Sequence, residues 1–247
     1  MEKHIQINNI WSKIYLPESD INEIIIGIHG FSGDKESSVL TRLSKEFNER
    51  SKALVVFDLP CHGENDNTKP LNLGECVNAI KTIFDYVKTQ YKNTPISVFA
   101  TSFGGYLALN YLSKNAEKLH KLILRAPAIY MYETLTNTIL TERNLKIEDL
   151  NKPTNLGYER PILIDKKFIE DLNCSRLDEA RTTNHFVYIL QGKKDDIINY
   201  KDNAKFFTQY YPNKHKFIYF ENADHRFKKP GELDRIVSET LAILNDK

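Results

Sequence analysis

Three cysteines, Cys61, Cys76 and Cys174, are too few and too scattered for a disulfide framework, and no C-x-x-C pair offers zinc spacing. That usage suits a reducing compartment, and a cytoplasmic location is expected. Net charge is also missing, because 34 Lys and Arg face 33 Asp and Glu. Without a global field to gather a polyanion, nucleic acid is a poor candidate partner. No apolar run approaches the roughly 18 residues of a membrane span, and Met1 to Ile14 lacks the basic-then-apolar order of a cleaved signal. The expectation is no integral membrane association and no cleaved leader. His4, His62, His120, His185 and His215 show no H-x-x-x-H ligand spacing. Neither G-x-G-x-x-G nor a phosphate loop occurs, so no metal and no cofactor is expected. Internal repeats and low-complexity tracts do not stand out.

What remains is 247 residues with 41% hydrophobic content, enough to bury one large core, and a single domain over 1–247 is expected. Short β-branched apolar runs occur at Ile24 to Ile28, Leu54 to Phe57, Ile96 to Phe99, Leu122 to Leu124, Val187 to Leu190 and Phe217 to Phe220. Such runs suit strands buried on both faces. Between them lie helix-length segments: Lys35 to Arg50, Leu73 to Tyr91, Phe103 to Asn115, Lys201 to Tyr211 and Pro230 to Asn245, the last with Pro at a plausible first-turn position. The alternation predicts an α/β fold with a mostly parallel central sheet and helices on both faces. Ile5 to Asn8 and Lys13 to Leu16 flank a turn around Asn9 and Ile10 and predict an antiparallel hairpin leading into that sheet.

One stretch breaks the alternation. From about 128 to 185 the chain is polar, contains Pro153 and Pro161, and mixes short helical patterns with Tyr130, Tyr132, Tyr158 and Phe168. A structureless loop that long is improbable in a compact domain. It is read as an inserted cap on a core formed by 1–127 and 186–247, with a strand or two near Ile162 to Ile164.

The segment Ile96 to Ala108 carries a strand pattern, then Ser102 with Ala100 and Gly104 two positions away on either side, then a helix pattern. A strand that reverses abruptly into a helix holds its apex residue in a strained conformation and needs small neighbours. The apex projects the hydroxyl, and the following helix offers its N-terminal N–H groups, that of Phe103 first, to a developing oxyanion. A second donor is expected from Phe31 in His29-Gly-Phe-Ser-Gly-Asp-Lys35, where Gly30 and Gly33 let the backbone bend. His29 is read as shaping that loop through hydrogen bonds. Asp195 and Asp196 follow the run Val187 to Leu190, and Asp195 is favoured as the acid that orients a base. His225 follows the last run and is the candidate base, since imidazole shuttles protons near neutral pH. Ser102, Asp195 and His225 each come just after a predicted strand.

At these residues the chain resembles the α/β-hydrolase superfamily. HGFSGDK at 29–35, DLPCHGEND at 58–66, ATSFGG at 100–105, GKKDDII at 192–198 and ADHRF at 223–227 are similar to blocks of bacterial cinnamoyl or feruloyl esterases and monoacylglycerol-lipase-like hydrolases. The resemblance implies Ser102 as nucleophile, Asp195 and His225 as its partners, and the N–H groups of Phe31 and Phe103 as oxyanion hole. Two departures are Ala100 and Cys61, where Gly is common. Cys61 is read as a small packed residue in preference to a reactive thiol. The implied activity is that of a serine hydrolase cleaving small-molecule carboxylic esters through an acyl-enzyme. Tyr130, Tyr132, Tyr158 and Phe168 are candidate walls for an aromatic or short-to-medium acyl group. An acyl-thioesterase, a monoacylglycerol lipase and a serine aminopeptidase stay open on the same residues, as does a binding module without turnover.

Overall fold

The computed structural model describes residues 1–65, 68–158 and 160–246. Strands β1 (Glu2–Ile7) and β2 (Ile10–Tyr15) form the hairpin. Its turn is Asn8-Asn9, both left-handed with φ of 47° and 67°, one residue earlier than predicted. Asn tolerates that region far better than the β-branched Ile10, and two left-handed residues in a row match the twist of a hairpin.

Strands β3 (Glu23–Ile28), β4 (Lys52–Phe57), β5 (Ile96–Thr101), β6 (Leu122–Arg125), β9 (Val187–Gly192) and β10 (His215–Phe220) run parallel. The full sheet has the order β1-β2-β4-β3-β5-β6-β9-β10, with β2 antiparallel to β4. Every residue of β3, β4 and β9 is buried. Their continuous apolar runs follow, since both faces of these strands meet helices.

Successive side chains feed opposite cores. Ile24, Ile26, Ile28, Val55 and Phe57 join one cluster with Ile80 and Phe84 of α2 (Leu73–Gln90), Leu107 of α3 (Phe103–Leu112), and Phe206 and Phe207. Ile25, Leu54 and Val56 join the other, with Leu43 and Phe47 of α1 (Ser38–Asn48) and Ile236 and Leu244 near the C-terminus. This is the α/β-hydrolase fold.

Among the described residues, segment 128–185, between β6 and β9, adds no strand to the main sheet. It begins with short α4 (Met131–Glu133), a wider π-type turn over Thr134–Ile139, and α5 (Leu140–Glu142). A 3-10 turn at Ile147–Asn151 and the antiparallel two-residue strands β7 (Thr154–Asn155) and β8 (Leu163–Ile164) follow. Next come α6 (Lys166–Cys174), whose first turn is capped by Asp165 accepting from Phe168 N, and a last 3-10 turn at Glu179–Arg181. Leu135, Leu150, Ile162, Phe168 and Leu172 share the α2–α3 cluster, and the Tyr106 hydroxyl and Asn110 amide both donate to Ser175 O.

The last helices, α7 (Tyr200–Tyr210) and α8 (Glu232–Asn245), fall close to expectation. Two boundaries differ from the sequence reading. Helix α1 starts at Ser38 and not Lys35, because Asp34 Oδ1 holds Glu36 N in a turn and Lys35 is drawn into a buried ion pair. Pro230 lies outside the first turn of α8, whose N-cap is Gly231 at φ 80°. Among the described residues no helix is long and apolar enough to cross a membrane.

Candidate active site

Strand β5 delivers Ser102 into a sharp turn at φ 51° and ψ −116°, and α3 begins at the next residue. That left-handed conformation costs roughly 1–2 kcal/mol for a residue with a side chain. The surroundings enforce it: Ser102 N donates to Arg125 O, and Ser102 O accepts from the N–H groups of Gly105, Tyr106 and Ala128. Gly104 is required, since a Cβ there would lie 2.4 Å from His29 O. Ala100 is fully buried and small enough for the turn.

His225 Nε2 lies 3.1 Å from Ser102 Oγ, and its Nδ1 lies 2.9 Å from Asp195 Oδ2. Asp195 has a side chain with no solvent exposure. Its Oδ1 also accepts from the N–H groups of Ile197 (3.0 Å) and Ile198 (2.7 Å), and its Oδ2 from Gln191 Nε2 (3.1 Å). The carboxylate is therefore ringed by donors, and the imidazole Nδ1 must carry its proton toward it. Nε2 is left to accept from the serine hydroxyl. The neighbouring carboxylate points elsewhere: Asp196 accepts from His225 N. Close approach of the two loops needs Gly192, where a Cβ would meet Ala223 O at 2.4 Å.

Arg125 was not singled out in the sequence. It is buried, donates to Arg226 O at 2.8 Å and stacks its guanidinium over the Phe227 ring, bracing the loop that carries His225. Burial pulls its pKa down to about 10, still charged at neutral pH. A basic residue ending an apolar strand was the available clue.

The loop after β3 abuts the turn, because a Cβ on Gly30 would come 3.3 Å from Ser102 Cβ. Two buried histidines clip this loop to the one after β4. His29 Nε2 accepts from Leu59 N at 3.0 Å, while its Nδ1 faces Gly30 O. His62 Nε2 accepts from Ser32 N at 3.1 Å, while its Nδ1 faces Pro60 O. Both clips need a neutral ring, since a protonated nitrogen cannot accept. Burial supplies it, holding His29 well below its ordinary value, with repulsion from His62 adding to the effect. Burial likewise brings His62 down to about 4.

A buried ion pair completes the clip. Lys35 Nζ lies 2.7 Å from Asp58 Oδ2 and also pairs with Glu64. Asp58 takes the N–H groups of Lys35 and Glu64 as well. Burial lowers the Lys35 pKa, and its hydrogen bonds with both carboxylates outweigh that and raise it. Gly63, at φ 56°, has no room for a Cβ, which would overlap the Asp58 carboxylate. Cys61 is buried at φ 62°, in the left-handed region that favours glycine. The last residue of the 58–66 block, Asp66, lies outside the described residues.

Among the described residues, the Phe31 and Phe103 N–H groups make no hydrogen bond. Their rings pack edge to face at 5.5 Å. Tyr158 and Phe168 join them, Tyr158 against Phe31 (5.9 Å) and Phe168 against Phe103 (6.3 Å). Tyr130 and Tyr132 lie apart: Tyr130 packs on Phe206, and Tyr132 lies under the Arg176 guanidinium. Tyr130 instead borders a polar cleft of about 480 Å³ with Glu133, Asn137, Ile197, Asp202 and Asn203. No group of three potential metal ligands occurs among the described residues.

The family described as "Serine aminopeptidase, S33", a hydrolase family, matches residues 19–153. The chain belongs to that family. That family agrees with the α/β-hydrolase topology of the sheet. The proline iminopeptidase PfmaB of Pestalotiopsis fici is 28% identical over 204 residues, 80% of this chain. The chain spans only 65% of that curated relative's length. Among solved structures, Est1E of Butyrivibrio proteoclasticus with ferulic acid bound superposes at a TM-score of 0.79 with 22% identity, covering 97% of this chain and 98% of Est1E. Mouse α/β-hydrolase domain-containing protein 10 gives 0.75 with 17% identity, covering 99% and 98%. At such identities these two likenesses speak to the fold alone.

Proposed function

We propose that this serine hydrolase cleaves carboxylic esters through an acyl-enzyme on Ser102, with His225 as general base and Asp195 orienting it. The observation that carries the reading is the Ser102–His225–Asp195 hydrogen-bond chain of 3.1 and 2.9 Å beside two unbonded N–H groups. His225 Nε2 takes the Ser102 proton as Oγ attacks the ester carbonyl. The N–H groups of Phe31 and Phe103 hold the oxyanion of the tetrahedral intermediate. The imidazolium, steadied by Asp195, then protonates the leaving alcohol. Water enters, gives its proton to His225 and releases the acid, restoring Ser102.

Segment 128–185 acts as a cap, and Tyr158 and Phe168 bring it against the oxyanion-hole residues. That aromatic surround fits a flat acyl group, as does the likeness to Est1E, which was solved with an aromatic acid bound. A cytoplasmic location remains part of the proposal.

Aminopeptidase action is the second reading, favoured by the family description and by the iminopeptidase relative. One panel separates the two: p-nitrophenyl esters of increasing chain length, methyl ferulate, an acyl thioester and proline p-nitroanilide, with wild-type and Ser102→Ala protein. Ester turnover that falls by several powers of ten in Ser102→Ala is expected. Turnover confined to the anilide would replace the ester reading with the peptidase one. Ester turnover that survives in Ser102→Ala would remove Ser102 as nucleophile.

A further inference from the structure

Asp195 has no access to water, so each of its hydrogen bonds must come from the protein. Two come from backbone N–H groups and one from His225. The remaining donor, Gln191 Nε2, belongs to an amide that could face either way. Turned by half a rotation, it would set its oxygen against the carboxylate. Two contacts favour the orientation found: Nε2 also donates to Gly192 O at 3.3 Å, and a second buried amide meets the other end, since Asn203 Nδ2 donates to Gln191 Oε1 at 2.9 Å. The same Nδ2 donates to Pro127 O at 3.0 Å. A carbonyl can only accept, so Asn203 cannot turn its oxygen that way without facing two acceptors. Asn203 and Gln191 are 1% and 0% exposed, which leaves no solvent to relax the arrangement.

The far end of this chain is anchored in the nucleophile turn. Ala128, next to Pro127, donates its N–H to Ser102 O at 3.0 Å, and Pro127 Cβ fills the space beside Gly105. We propose that Gln191 and Asn203 are positioning residues, which pass the polarity of the Pro127 carbonyl to Asp195 and register the acid against the Ser102 turn. This rests on the reading of Ser102, His225 and Asp195 given above. Neither side chain touches substrate; both act through Asp195, and Asn203 acts only through Gln191.

The test uses Gln191→Met and Asn203→Leu, which keep length or bulk and remove the donor, together with the double variant and Gln191→Glu. The rate of Ser102 labelling by a fluorophosphonate reports activation of the serine without any choice of substrate. The low-field proton resonance of the imidazole N–H facing Asp195 reports the hydrogen bond in the resting protein. Urea unfolding identifies any variant that fails to fold.

Each single variant is expected to label about 10–100-fold more slowly, by analogy with the loss of a group that orients a metal-ligating side chain, and to shift or broaden the resonance. The double variant should be no slower than Gln191→Met, because the two residues act in series. Gln191→Glu should label slowly at neutral pH, where two carboxylates meet, and its rate relative to wild type at the same pH should rise as the pH falls and one oxygen becomes a donor. Folded Gln191→Met that labels within threefold of wild type with an unmoved resonance would overturn the proposal. So would losses that multiply in the double variant. If the wild-type protein does not label at all, the nucleophile reading fails, and the resonance alone decides whether Gln191 positions Asp195.

Discussion

Strands β3 and β4 are closed at both ends by a buried lysine–carboxylate pair, and the two pairs do different things. At the N-terminal ends, Lys52 Nζ lies 2.6 Å from Glu23 Oε2, and Glu23 also takes bonds from the Ser97 hydroxyl and His120. At the C-terminal ends, Lys35 meets Asp58 at 2.7 Å. All four side chains are almost wholly buried, so the cost of removing charge from water is similar. The first pair joins residues within strands and holds their register. The second joins loops that reach Phe31, and left-handed Ser32, Cys61 and Gly63 lie in those loops. The same device fixes strand register at one end and ties together the loops beside Ser102 at the other.

The sharpest break in that comparison is at the apex of the site edge. Ser102→Gly should abolish ester turnover, down by several powers of ten, while urea unfolding shows a gain of about 1 kcal/mol from relief of the φ strain. A loss of stability would mean that the turn is held by the side chain and not by its neighbours.

Next come the two ion pairs. Glu23→Ala strands the buried Lys52 ammonium and should cost about 3–5 kcal/mol in urea unfolding, and Asp58→Ala, which leaves Lys35 with Glu64 alone, somewhat less. Only Asp58→Ala should also cut turnover of the protein that remains folded, by tenfold or more. Equal effects on turnover would erase the distinction between scaffold end and site end.

A smaller difference appears with pH. His62 is neutral in the fold down to about 4, whereas an exposed imidazole protonates near 6.5. Between those values the unfolded chain binds the extra proton, so stability present above pH 6.5 is lost as pH falls, by about 3 kcal/mol at most. His29, held low by the same burial, acts in the same direction. Urea midpoints at pH 7 and 4.5 measure the loss, and His62→Gln should flatten the dependence. A slope unchanged in that variant would assign the effect to other groups.

The smallest effect belongs to Cys61→Gly. Relief of the left-handed conformation and loss of buried sulfur contacts oppose each other, and a net change under about 1 kcal/mol in thermal or urea unfolding is expected. Turnover that collapses in this variant would give the thiol a part in the chemistry.

Much of the fold could be read from the chain because both-face burial writes itself as β-branched runs: EIIIGI and ALVVF can hardly be anything else. The order of Ser102, Asp195 and His225 was legible for a related reason, since each follows such a run. Of the two adjacent carboxylates, Asp195 faces the imidazole and Asp196 a backbone N–H. What stayed hidden are contacts between blocks. Nothing in HGFSGDK or DLPCHGEND says that Lys35 and Asp58 meet, and nothing near Asn203 points back to Gln191 and Pro127. Those pairings depend on which loops the sheet order brings side by side, and periodicity carries no such information. Segment 128–185 was the least legible, because short turns and two-residue strands leave no period to detect.

Ser102 and His225 are 123 residues apart in the chain. At the ribosome, where roughly 5–20 residues are added each second, about 6–25 s separate their synthesis. A nascent chain thus holds Ser102 before His225 exists, and the hydrogen bond between them forms only after β10 and the loop beyond it have been made.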